Sequence, residues 1–149
     1  MEANHNQTPV EVADLRKSYG EQKVLNGISL NVAQGQTVAV LGRSGTGKSV
    51  LLKLLVGLQP ADSGTVRIDG QEITGIEPGP LNEIRKRMGY LFQQGALYDS
   101  LTVEQNVDFP LSRHADLSES ARKDKVRELL SSVGLSDGDF EKMPSEISG

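Results

Sequence analysis

Eight consecutive residues, Gly42-Arg43-Ser44-Gly45-Thr46-Gly47-Lys48-Ser49, constrain this chain more than any other stretch, because they fit the spacing G-x-x-x-x-G-K-[ST]. Glycines at 42, 45 and 47 let a backbone take positive φ and approach an anion without a Cβ in the way. Successive N–H groups can then converge as an anion nest. The flanks agree with that use. Gln36-Thr37-Val38-Ala39-Val40-Leu41 is a short apolar run rich in β-branched residues and predicts a strand, and Lys48 to Leu58 has helical spacing. A helix that begins at the loop turns its positive end toward the same anion. Lys48 adds a full charge for β- and γ-phosphate oxygens, and the Ser49 hydroxyl is a hard oxygen donor suited to Mg²⁺. The pattern reads a triphosphate.

Around the loop the chain divides into two regions. In the first, Val10 to Tyr19 and Lys23 to Val32 suit strands, with Gly20 and Gly35 as turn signals. Pro60-Ala61-Asp62-Ser63-Gly64 predicts a turn into Val66-Arg67-Ile68, followed by the hairpin signal Asp69-Gly70. A charged helix is expected over Leu81 to Arg87, with Arg85-Lys86-Arg87 as a solvated face, and a short strand over Gly89 to Phe92. Beyond Gln93 the character turns helical. Thr102-Val103-Glu104-Gln105 fits a capping box. Ser118 can cap a further helix in which Val126, Leu129, Leu130 and Val133 form a core stripe, and Gly134 supplies the stop. The expected boundaries are 8–92 for the nucleotide core and 93–149 for the helical part.

Composition limits the alternatives. The net charge is −4 over 149 residues, which leaves no basic footprint for general nucleic-acid binding. There is no cysteine, hence no disulfide, thiolate chemistry or cysteine metal site. The N-terminal residues lack the basic and apolar regions of a signal peptide, and no apolar stretch approaches membrane-spanning length. A cytosolic protein is expected, reaching a membrane only through a partner. His5, in the tail, and His114, expected in a polar loop, have no partner at ligand spacing and read as solvated.

Four motifs in order give the chain its resemblance, from about Val10 to its last residue, to the ATP-binding subunit of ABC transporters. They are Tyr19 in Lys17-Ser18-Tyr19-Gly20, the loop at 42–49, Leu91-Phe92-Gln93, and Pro144-Ser145-Glu146-Ile147-Ser148-Gly149. The resemblance implies an α/β fold: a P-loop NTPase (RecA-like) core with an N-terminal antiparallel β part and a helical subdomain. It also implies ATP and Mg²⁺ as cofactors. Tyr19 would stack on adenine. Gly42, Arg43, Ser44, Gly45, Thr46, Gly47, Lys48, Ser49 and Val50 would hold the phosphates. Gln93, in the family's Q-loop, would reach the metal and the attacking water. Lys48 and Gln93 are thereby the catalytic candidates, and Ser49 and Gln93 the metal ligands. Val50 departs from the threonine of most members and removes one hydroxyl near the phosphates.

The same resemblance implies a second ATPase subunit as homodimer partner, a membrane-embedded permease, no nucleic acid, and a peripheral place on the cytoplasmic face of the inner (plasma) membrane. Gly47-Lys48-Ser49-Val50-Leu51-Leu52, Arg85-Lys86-Arg87-Met88, Phe92-Gln93-Gln94-Gly95-Ala96-Leu97 and Met143-Pro144-Ser145-Glu146 are similar to the ATPases of lipid-asymmetry transporters, associated with organic-solvent resistance. Phospholipid is then the expected cargo. The signature-like run ends at Gly149, so by resemblance the C-terminal half of the ABC domain is missing, including the Walker B strand, catalytic glutamate, D-loop and switch histidine. The chain as written is expected to bind ATP and not to hydrolyse it, with sheet edges left unpaired. Two alternatives stay open: a soluble ABC ATPase of translation or DNA repair, and a non-catalytic nucleotide-binding fragment.

Overall fold

The computed structural model describes residues 8–93 and 95–147, so His5, Gln94, Ser148 and Gly149 lie outside the described residues. The chain forms two compact units, Met1–Tyr90 and Leu91–Gly149. In the first, strands β1 (Val10–Tyr19), β2 (Gln22–Val32), β3 (Ser63–Ile68) and β4 (Gln71–Glu72) make an antiparallel sheet of order β2-β1-β3-β4. Helices α1 (Lys48–Leu55) and α2 (Pro78–Arg85) complete the unit. The core joins Val12, Leu15, Leu25, Val66 and Ile68 of the strands to Leu51 and Leu54 of α1 and Leu81 and Ile84 of α2.

A strand with strict alternation would turn Leu15 away from the face that holds Val12. The register instead shifts between these two residues, at Asp14 with φ +46°, and Leu15 is fully buried. The bulge is built around Gly64 of β3. A Cβ there would lie 2.4 Å from the Asp14 carbonyl oxygen, closer than any side chain could be accommodated. At the β3–β4 turn Asp69 and Gly70 both have positive φ, the conformation that Asp-Gly favours in a two-residue hairpin.

Four expected elements differ, one of them α2, which spans Pro78–Arg85 rather than Leu81 to Arg87. Helix α1 stops at Leu55 rather than Leu58, because Gly57 takes φ +67° while its N–H reaches the Leu54 carbonyl and the Leu58 N–H reaches that of Lys53. These two bonds close the helix end. The segments 36–41 and 89–92, expected as strands, are not strands, and Leu41 and Leu91 are 90% and 88% exposed. A strand exists only through its ladder, and none of β1 to β4 pairs with either segment. Nor is Arg85-Lys86-Arg87 a solvated face throughout. The Arg85 guanidinium donates to the Val56 and Gly57 carbonyls at 2.9 and 2.7 Å, and Arg87 pairs with Asp69.

The second unit contains α3 (Val103–His114), α4 (Glu119–Ser132), the short α5 (Asp137–Phe140) and a 3₁₀ turn at Pro144–Glu146. Thr102 and Gln105 form the expected capping box, and Ser118 caps α4 by accepting from the Ala121 N–H. Val103, Val126, Leu130 and Phe140 are the core. The expected stripe on α4 is therefore only half a core face, since Leu129 is exposed and Val133 is 73% exposed. His114, expected in a loop, is the last residue of α3.

Candidate nucleotide site

The loop 42–47 leads into α1 with Gly47 as its N-cap, at φ +94°. No side chain caps this helix, and its first turn carries no acidic residue, so the N–H groups at its start are left for an outside acceptor. Gly45 is also left-handed, at φ +80°, with open space where a Cβ would project. Gly42 is not: its place in the loop is steric, because a Cβ there would lie 2.7 Å from Thr46 Oγ1. Gly47 is doubly fixed. A Cβ would be strained by its φ and would lie 2.8 Å from Val24 Cγ1, so the loop can seat against β2 only through glycine.

Side chains finish the cradle. Thr46 Oγ1 donates to the Arg43 carbonyl at 2.8 Å and closes the turn. Lys48 Nζ donates to the Gly42 and Arg43 carbonyls at 2.7 and 2.8 Å, which commits two of its three donors and holds the ammonium over the loop. Arg43, Ser44 and Ser49 are exposed. The Val50 side chain packs against the core, leaving only its main chain toward the loop. Uncapped N–H groups, left-handed glycines and an anchored ammonium form a donor set that fits a polyphosphate. The exposed Ser49 hydroxyl supplies one hard oxygen for a divalent cation. Among the described residues no group of His, Cys, Asp or Glu could hold a metal by itself.

Tyr19 ends β1, and the residue is 47% exposed. The segment 59–62 reaches it through Gln59. Tyr19 Oη donates to Gln59 Oε1 at 2.7 Å, and the Lys17 ammonium lies over the ring, 5.5 Å from its centroid. Lys17 Nζ also donates to Asp62 Oδ1 at 2.9 Å, while Asp62 Oδ2 accepts from the Ser18 N–H at 2.6 Å. These two bonds, Lys17 first, hold the Asp62 carboxyl below the usual aspartate range. Sequence reading singled out Tyr19 but not its neighbours Gln59, Lys17 and Asp62. The only local signal nearby was the turn composition at 60–64, because each contact joins residues forty or more positions apart.

Gln93 belongs to the second unit, exposed, in a turn closed by the Gly95 N–H and the Phe92 carbonyl. The loop at 42–49 and Tyr19 thus share one unit, and Gln93 stands on the other. In the signature-like run, Pro144–Glu146 is the 3₁₀ turn, with the Glu146 carboxylate accepting from the Met143 N–H.

A family model described as ABC transporter matches residues 25–149. The chain is 40% identical over 140 residues to the methionine import ATP-binding protein MetN of Brucella abortus, covering 94% of this chain and 37% of that protein. It is 44% identical over 140 residues to the probable ribonucleotide transport ATP-binding protein mkl of Mycobacterium leprae, covering 94% and 40%. Among solved structures, the dimeric ATP-binding cassette MJ0796, in a post-hydrolysis state bound to ADP and Pi, superposes with a TM-score of 0.84 at 29% identity, over 93% of this chain and 63% of that one. The cbiO1 subunit of the cbiONQ transporter complex of Clostridium perfringens gives 0.79 at 25% identity, over 96% and 57%. The chain thus spans about two fifths of the curated relatives it matches.

Proposed function

The chain belongs to the ABC transporter family, and from that premise we propose that it is the ATP-binding part of a transport ATPase, in which nucleotide binding and hydrolysis drive a membrane partner. The carrying observation is the uncapped start of α1 behind two left-handed glycines, with Lys48 anchored over the loop. In this reading the main-chain N–H groups of residues 43–50 hold the phosphates, Lys48 neutralises their charge, Tyr19 stacks on the base, and Ser49 would ligate Mg²⁺, with Gln93 the further ligand that the family resemblance implies. The metal supplies charge neutralisation between phosphate oxygens when bound. Lys48→Ala should weaken Mg-ATP by about 2–3 kcal/mol, the scale of a lost charge-assisted contact. Titration with a fluorescent ATP analogue measures it. Unchanged affinity overturns the assignment.

Hydrolysis, a second copy of the cassette and a permease partner follow in the same reading, supported by the dimeric ADP-and-Pi-bound cassette and by the cbiONQ subunit among the similar structures. A peripheral position on the cytoplasmic face of the plasma membrane goes with them. For the cargo we propose phospholipid, on the similarity of the segments at 47–52, 85–88, 92–97 and 143–146 to lipid-asymmetry ATPases. The relatives named above concern methionine and ribonucleotide transport. The discriminating measurement is ATPase stimulation of the assembled transporter in liposomes. Stimulation by phospholipid composition, with none by methionine or ribonucleotides, supports the lipid reading. The reverse pattern removes it.

A further inference from the structure

We propose that Gln59 is a positioning residue for the purine platform, fixing the Tyr19 ring so that one face is presented to the base. This rests on the reading of Tyr19 as the base-stacking residue. A tyrosine at a strand end has two free torsions, and a stacking surface is useful only if its plane is set before the ligand arrives. Three contacts set it. Gln59 Oε1 accepts from Tyr19 Oη at 2.7 Å and fixes the far end of the ring. The Lys17 ammonium lies over one face of the ring, which leaves the opposite face of this half-exposed residue for a flat ligand. Asp62 holds Lys17 and the Ser18 N–H together, and the Asp62 N–H donates to the Arg16 carbonyl at 3.0 Å, so the turn that carries Gln59 is fastened to the strand that carries Tyr19.

The same end of the β1–β2 hairpin packs against the phosphate loop, through Val24 and Leu25 on Gly47. Base and phosphate subsites are therefore joined through one hairpin. Gln59 needs no contact with the nucleotide in this arrangement. Its effect passes through the ring alone, and must vanish for a ligand that has no base.

The test compares Mg-ATP with Mg-tripolyphosphate, which offers three phosphates and no base, by calorimetric titration of the whole protein. Gln59→Leu should weaken ATP about fivefold, the scale of one hydrogen bond, and leave tripolyphosphate unchanged. Tyr19→Phe, which keeps the ring and removes only the hydroxyl, should do the same, so the test does not depend on the Gln59 variant folding. The two changes together should cost no more than either alone, because they break one bond. Gln59→Glu retains an acceptor and should restore ATP binding toward the parent value. Equal losses for both ligands, additive losses in the double variant, or unchanged ATP binding in Gln59→Leu and Tyr19→Phe would each overturn the proposal. Failure of the underlying reading looks different. If Tyr19→Ala leaves ATP unchanged the platform itself is wrong, and if neither ligand responds to Lys48→Ala the phosphate assignment is wrong.

Discussion

Asp62 shows how much of this site is decided by single side chains far apart in sequence. Its two oxygens serve the Lys17 ammonium and the Ser18 N–H, and its carboxyl is accordingly held below the usual aspartate value of about 3.9. A lowered folded value means that the contribution to stability is complete above the ordinary value. It is lost as pH falls from there through the folded value. Urea denaturation at about pH 6 should therefore show Asp62→Asn less stable than the parent, with the gap narrowing by about pH 3. A gap that stays constant would show that the carboxylate charge is not what holds the turn. Legibility divides along the same line. Lys48, Ser49 and the glycines were readable because their chemistry is contained in eight adjacent residues. The surroundings of Tyr19 were not, because no local period links residue 17 to residue 62.

At the scale of elements, Arg85 ties α2 to the helix that bears the phosphate loop. α1 stops at Leu55 and the chain turns at Gly57; the Arg85 guanidinium takes the Val56 and Gly57 carbonyls just beyond the helix end, while Gly57 rests against Leu81. A cation at this end also opposes the negative pole of α1. Arg85→Ala should lower stability by about 2 kcal/mol, and Arg85→Lys should recover only part of that, since an ammonium lacks the two-pronged geometry. Chemical denaturation midpoints decide between these outcomes, and full recovery by lysine would reduce the contact to simple charge. Sequence reading placed the starts of α3 and α4 through their caps, Thr102 and Ser118, because capping is local. It misjudged Arg85 and half of the α4 stripe, since charge and apolar period do not say which neighbour a helix face meets. The segments 36–41 and 89–92 failed as strands for a related reason: a β-branched run is permission for a strand, and the ladder decides.

For the molecule as a whole, the surface of the second unit that best fits a partner is the loop before α3. Leu97 is 55% exposed and Tyr98 is half-exposed, yet the loop is not loose. The Asn106 side chain accepts from the Tyr98 N–H and donates to the Tyr98, Leu101 and Thr102 carbonyls, and the Tyr98 ring leans on Phe109 with centroids 4.9 Å apart. An apolar side chain held outward on a fixed loop is suited to a partner, whereas one that merely packed its own unit would be turned inward. If the proposal of a permease partner holds, this loop is where we expect it to dock. These 149 residues contain no cysteine, so a single cysteine introduced among them is the only one they carry. Cysteines at Leu97 and Ser100 should crosslink to the membrane subunit in the assembled transporter. Ala96 is a poorer position because its φ of +53° already strains the backbone. Leu97→Glu should uncouple transport while leaving ATP binding unchanged, because the side chain is exposed and belongs to the unit that lacks the phosphate loop. Tyr98→Glu should instead also destabilise the unit, by removing the ring from Phe109. If neither cysteine crosslinks, and Leu97→Glu transports normally, the loop has no partner and its rigidity serves only the fold of α3.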